Sequence, residues 1–380
     1  MKSAIYTAVN EGLARALRTP PYLILFVSDT CWMHCAHCWF NEEWKKEHLE
    51  RRALGFDDYE RMARSLGRVA FLSLTGGEAF QRPDIVELAT MFRRTARVSR
   101  YQIPTSGYLT DRIVERTEAM LQKNPDTPFR VDVSLDGVGE IHNLQRRVRD
   151  GYSRACATIT ALRGLKARYA HFDVGVITTI SNVNQHQVDE IGAEVERLNP
   201  DGEWMINITR GEPRDPQAID VHPNMYRRAD ALIRERTEAG RMPGHGGHQT
   251  AKWLTAKNVA RRQLILDIVE GRREGGGCSA GALAGVVYSD GEVHACEMLD
   301  DPLGNVQDFD GDLAALWRSP RAKALRAKIQ RTKCQCTQEC FLSTSMLIQP
   351  DTWPKMVRAR LELAQGTRRG RPGVPSPSPG

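Results

Sequence analysis

The chain has 380 residues, more than one ordinary domain needs, with 41% hydrophobic residues and a formal net charge of +6 from 53 basic and 47 acidic side chains. That apolar content supports a sizeable core and excludes wholesale disorder. The small basic excess falls in short groups (146–149, 261–263, 271–273) that describe solvated helix faces rather than a nucleic-acid surface. No run of about 18 apolar residues is present to span a membrane.

Residues 1–20 are polar-interrupted and lack an apolar signal core with a cleavage site, so the expected location is cytoplasmic, where structural disulfides are rare. Apolar runs follow at 22–28, 69–74, 100–104, 129–135, 171–179 and 203–208. Helical periodicity lies between them at 57–67, 83–97, 109–122, 151–168 and 183–198, with Thr110 or Asp111 expected to cap the third helix. Six strands alternating with helices predict an α/β fold with a parallel sheet and right-handed crossovers, favouring a partial (β/α)6 barrel over a doubly wound open sheet. No Gly-x-Gly-x-x-Gly follows the first strand, which removes the usual dinucleotide-binding reading. In either topology the chemistry belongs at the carboxyl ends of the strands.

After residue 210 the rhythm changes to helical patterns at 223–240 and 250–270, separated by "MPGHGGHQ", whose His245 and His248 read as part of a polar loop. A hairpin with its turn at Ser289-Asp290-Gly291 opens a small Cys-rich unit. The Pro/Gly/Ser-rich end predicts a disordered tail. The expected organisation is an N-terminal helical segment (1–20), a barrel core (21–220), a helical connection (221–277), the Cys-rich unit (278–349) and a C-terminal helix with tail (350–380).

Nine cysteines in a reducing compartment, eight of them in two clusters, point to metal ligands; Cys156 stands apart as a small buried side chain. Cys31, Cys35 and Cys38, spaced C-x3-C-x2-C, sit on the loop leaving the first strand. Three thiolates suit a four-iron cube with one open iron, or a zinc site completed by His34 or His37. The second strand ends in Thr75, Gly76, Gly77 and Glu78, where the glycines would admit a ligand close to the backbone and the carboxylate would accept from an ammonium. Thr105 and Ser106 follow the third strand, and Ser134 and Asp136 the fourth. Together these outline a site for a zwitterionic, ribose-bearing ligand beside a metal cluster.

C-x3-C-x2-C after strand one, "GGE" after strand two, "TSG" after strand three and "SLDG" with His142 and Arg146 after strand four resemble the radical S-adenosylmethionine (radical SAM) enzymes over roughly residues 20–210. The resemblance implies that Cys31, Cys35 and Cys38 ligate a [4Fe–4S] cluster whose open iron chelates the methionine moiety of S-adenosylmethionine. It implies that Gly76–Glu78 receive the amino group, that Ser134 and Asp136 lie near the ribose or carboxylate, and that Arg146 pairs with the carboxylate. Asn143 and Ser106 depart from the family's usual Asp and Asn. The implied chemistry is reductive cleavage to a 5′-deoxyadenosyl radical, which abstracts hydrogen from an unactivated C–H bond, with a flavodoxin or ferredoxin as electron donor.

Cys278 and Cys296 bracket the hairpin, and Cys334, Cys336 and Cys340 follow a helix; this arrangement resembles the twitch or SPASM extension of the same family. It implies one auxiliary [4Fe–4S] cluster held by Cys278, Cys296 and two of the other three, with structural zinc as the alternative. The short segment ahead of the first strand favours a small-molecule biosynthetic intermediate over a ribosomal peptide. Arg210 and Arg214 at the sixth strand end offer an anionic group a partner. A zinc-binding scaffold is the non-enzymatic alternative.

Overall fold

The computed structural model describes residues 2–49, 51–242, 249–273 and 277–369; His245, His248 and the predicted tail lie outside the described residues. The first six strands are β1 (Tyr22–Ser28), β2 (Phe71–Gly76), β3 (Tyr101–Thr105), β4 (Phe129–Ser134), β5 (Phe172–Ile180) and β6 (Glu203–Ile208). Each pairs in parallel with the next, the neighbour order that right-handed βα crossovers produce. β1, YLILFVS, is buried on both faces, as a central parallel strand should be.

The helices are α1 (Lys2–Leu17), α2 (Glu42–His48), α3 (Phe56–Ser65), α4 (Ile85–Thr95), α5 (Thr110–Lys123), α6 (Glu140–Arg146), α7 (Gly151–Arg168) and α8 (Val188–Leu198). After β6 come α9 (Pro223–Glu238), α10 (Gln249–Val269), α11 (Leu313–Trp317), α12 (Pro320–Arg331), α13 (Glu339–Ile348) and α14 (Trp353–Arg369). Helix α5 begins at Thr110 with Leu109 in the cap position and no side-chain cap. The Thr110 hydroxyl instead meets that of Thr158 on α7 at 2.7 Å, so tertiary packing has taken the group that would have capped the helix.

The hairpin is not a free-standing module. Strands β7 (Ala284–Val287), β8 (Glu292–His294) and β9 (Pro302–Asn305) extend the barrel sheet to nine strands in the order β6-β5-β4-β3-β2-β1-β7-β8-β9. β7 runs parallel to β1, with Tyr22 opposite Ala284 and Leu25 opposite Val287. The pairing satisfies the edge that β1 would otherwise expose. One hydrophobic core therefore runs from the barrel into the Cys-rich unit, joining Leu23, Leu25 and Phe26 to Val286, Val293 and Trp317. The fold is a partial α/β barrel continued by a C-terminal extension.

Candidate active site

The Cys31–Cys38 loop is fixed from three sides. Below it, the rings of Trp39 and Phe40 pack on Phe26 of β1 at centroid distances of 5.9 and 4.8 Å, and Tyr288, following β7, closes on Phe26 at 4.8 Å. On one flank Ala36 N–H donates to the Gln145 carbonyl of α6; on the other the N–H groups of Arg214 and Asp215 donate to the carbonyls of Cys38 and Ala36. The end of β2 supplies the third side. Gly77 N–H donates to the Ser28 carbonyl at 2.8 Å and Glu78 N–H to the Thr30 carbonyl at 2.9 Å.

That last contact explains the glycine pair. A Cβ at Gly76, whose φ is +126°, would collide with the Ser28 carbonyl, and one at Gly77 with the Thr30 carbonyl. The group these glycines admit on one side is the cysteine loop's own backbone, and both also line the cavity.

Glu78 is likewise engaged inside the protein. Buried to 3% exposure, its carboxylate accepts from Thr105 Oγ1 at 2.9 and 3.0 Å, Ser106 N–H at 2.9 Å, Ser106 Oγ at 2.6 Å and Phe80 N–H at 3.3 Å. It straps the end of β3 to the end of β2.

Arg146 and Asp136 form a buried pair, with Nε and Nη2 of the arginine 2.6 and 2.5 Å from Oδ2. Arg146 Nη1 also reaches Cys35 Sγ at 3.8 Å. Asp136 is fully buried, accepts Thr179 N–H at 2.7 Å and holds the arginine that faces the thiols. Although burial opposes it, Arg146 with His37 and His142 holds Asp136 below the usual carboxylate range. Burial pushes His37 and His142 down to about 4, so both are neutral near pH 7.

The three thiols face a cavity of about 890 Å³ that runs the length of the barrel interior. Thr75, Gly76, Gly77, Thr105, Ser106, Ser134 and Arg146 line the same end; Glu78 and Asp136 stand behind the wall. Burial pushes Cys31 up to about 11 and Cys38 up to about 12, and raises Cys35. His34 is exposed beside Glu42 at 3.7 Å, and His37 lies 4.0 Å from Asp136, so neither completes a set with the thiols. Among the described residues, no three His, Cys, Asp or Glu side chains converge on a single metal-ion position.

In the second cluster, backbone N–H groups two residues on donate to the sulfurs of Cys278, Cys296 and Cys336 at 3.4 Å. Burial raises all three, and Cys334 lies within the electrostatic reach of Cys278 and Cys296. Cys340 differs. It shares the charges of Glu297, Glu339 and Arg210 with Cys336, but its sulfur faces the Tyr22 hydroxyl and the lumen. Cys156 stays apart, 3.8 Å from Glu194.

Sequence reasoning missed the charged interior of the lumen. Arg130 of β4 pairs with Asp132 and Glu203, and Gln102 donates to Asp132. Arginine and aspartate two apart in "FRVDVS" share one strand face, and that alternation was the available signal. The distant contributors, Lys257 and Arg261 of α10, carry none. Arg210 and Arg214 line the same cavity and pair with Glu339 at 2.9 Å and Glu42 at 2.5 Å.

Residues 25–193 match the Radical SAM superfamily, and residues 278–341 match the iron–sulfur cluster-binding SPASM domain. The chain belongs to the radical SAM superfamily. Over 252 residues it is 26% identical to the pre-heme d1 synthase of Dinoroseobacter shibae, covering 63% of this chain and 57% of that protein. Over 301 residues it is 23% identical to the sporulation killing factor maturation protein SkfB of Bacillus subtilis, covering 77% of this chain and 63% of that one. The chain thus spans less than two-thirds of either relative. The solved structure of anSMEcpe with bound AdoMet and the Cp18Cys peptide has the same fold, with a TM-score of 0.56 at 16% identity over 92% of this chain and 99% of that one.

This radical SAM chain takes a four-iron cluster, S-adenosylmethionine and an auxiliary iron–sulfur centre. The donor sets fit them. Buried thiols raised this far stay protonated unless a cation compensates them, and an iron–sulfur centre supplies that charge. Cys31, Cys35 and Cys38 would hold three irons of such a cluster and leave the fourth without a protein ligand. The zinc alternatives give way to these cofactors. No helix among the described residues is long and apolar enough to cross a membrane.

Proposed function

We propose that this chain is an enzyme that reductively cleaves S-adenosylmethionine and abstracts hydrogen from a small, polar biosynthetic intermediate held in the barrel lumen. The observation that carries the reading is the trio Cys31, Cys35 and Cys38, the middle one buried and the outer two partly buried, opening into an 890 Å³ cavity without a fourth protein ligand. Pockets of that size enclose a cofactor with a small ligand. When loaded and reduced, the cluster supplies one-electron cleavage of the sulfonium to a 5′-deoxyadenosyl radical.

The chain's own residues do the rest. Arg146, aimed by Asp136, sets a positive charge against Cys35 and favours its thiolate. The Gly76–Gly77 backbone, Thr105, Ser106 and Ser134 give the cofactor a polar wall, kept rigid by Glu78. Trp39, Phe40 and Phe26 dry the underside of the cysteine loop. Cys278, Cys296, Cys334 and Cys336 hold the auxiliary centre, and Cys340 stays a thiol at the lumen wall.

A peptide substrate is the second reading, favoured by the likeness to SkfB and to the peptide-bound anSMEcpe.

Anaerobically reconstituted protein with a reductant should form 5′-deoxyadenosine, and Cys35→Ala should reduce that at least about a thousandfold, roughly 4 kcal/mol of barrier. Undiminished product from the variant would sink the assignment. For the auxiliary centre, Cys334→Ser should lose about four irons per chain while Cys340→Ser keeps them. The opposite pattern would exchange the two roles.

A further inference from the structure

The lumen wall neutralises most of its charges internally. Arg130 meets Asp132 and Glu203, Arg146 meets Asp136, Arg210 meets Glu339, and Arg214 meets Glu42. Four lumen cations stand outside this scheme: Lys45, which lies over the Phe40 ring at 4.9 Å near the cysteine loop, and three at the other end. The side chains of Arg100, just before β3, and Lys257 of α10 make no hydrogen bond or ion pair among the described residues, and both line the cavity. Arg261, one turn beyond Lys257, donates from Nη1 to Ser343 Oγ at 2.7 Å, while its Nε is buried without a partner.

We propose that Arg100, Lys257 and Arg261 form an anion-binding subsite at the end of the lumen farthest from the Cys31–Cys38 loop, which receives a carboxylate or phosphate of the substrate. The proposal rests on the lumen being the substrate chamber. Lys257 and Arg100 approach Glu203 from different walls, but Arg130 already holds that carboxylate, and Asp173, the other acid acting on Arg100, is held by Lys166 at 3.0 Å. Burial and the neighbouring Arg261 depress Lys257 to about 8, and burial and Arg130 lower Arg100. Crowding like charges away from water is costly, and a bound anion removes that cost. Ser343, which accepts from Arg261, and Asn258, next to Lys257, line the cavity and add neutral donors.

The placement constrains the substrate. Arg100 precedes the first residue of β3 and Thr105 closes that strand, so the subsite lies roughly 15 Å from the cofactor end at about 3.3 Å per residue. The substrate class is an elongated molecule with its anionic group remote from the carbon that loses hydrogen.

Calorimetric titration of the anaerobic holoenzyme with inorganic phosphate, and separately with acetate, tests this and distinguishes the two anion chemistries. At least one should bind saturably, with affinity falling about tenfold or more in both Lys257→Met and Arg100→Met, which is about 1.4 kcal/mol. Arg64→Met, on an exposed helix face, should bind as wild type, and circular dichroism verifies that each variant is folded. Absence of saturable binding by either anion, or equal affinity across the variants, overturns the subsite. Formation of 5′-deoxyadenosine by the same wild-type preparation separates that failure from a failure of the enzyme reading.

Discussion

Toward the cysteine trio, the buried charges are held by protein groups: Arg146 is locked to Asp136, and Glu78 accepts from the neutral donors of Thr105, Ser106 and Phe80. At the far end of the lumen, Lys257 and Arg100 face the cavity with no ion pair among the described residues. Both regions are polar and enclosed by the same strands, yet one is electrostatically closed and the other is open. A region built to hold a cofactor in one pose benefits from rigid, satisfied groups. A region with surplus charge carries a folding cost that only a ligand relieves.

The widest test of that contrast removes a partner from the closed end. Asp136→Ala would leave Arg146 buried and uncompensated, with an expected loss of about 3–5 kcal/mol in denaturant unfolding. A loss under about 1 kcal/mol would mean that the pair is hydrated and the closed end is not closed.

The open end should respond with the opposite sign. Lys257 titrates near 8 in the folded chain against 10.5 for a lysine free in water, so its penalty is complete below pH 8 and fades as pH rises to about 10.5. Lys257→Met should therefore stabilise the protein at pH 7 by up to about 3 kcal/mol, with the gain shrinking across that window. Stabilisation independent of pH would point to packing rather than to charge.

A third change sharpens the comparison on a smaller scale. Glu78→Gln keeps the size of the strap but removes its charge, and should cost about 2 kcal/mol through weaker bonds to Ser106 and Thr105. Weaker binding of S-adenosylmethionine, read by calorimetry, should accompany it; unchanged binding would separate the strap from the cofactor wall.

The same contrast governs what the sequence made legible. The order of six strands, their limits to within about two residues, and the cysteine loop were readable because apolar period and local spacing encode them. At the closed end the residues were identified but their partners were not. Glu78 and Asp136 look like ligand contacts in one dimension, and only the folded chain shows protein groups occupying them. The open end was invisible because Arg100 and Lys257 are 157 positions apart in sequence (257 − 100) and each alone resembles a surface cation. The separation of Cys340 from the other four thiols was equally hidden, since Tyr22 lies more than three hundred positions earlier.

The parallel seam between β1 and β7 has a consequence for inheritance and engineering. The strand that launches the first cysteine loop is covered along its flank by the segment that follows Cys278. Amputating that appendage would bare a row of unmet amides beside the catalytic loop and invite clumping. The two iron-binding parts are therefore expected to be exchanged between related chains as one piece, seam included.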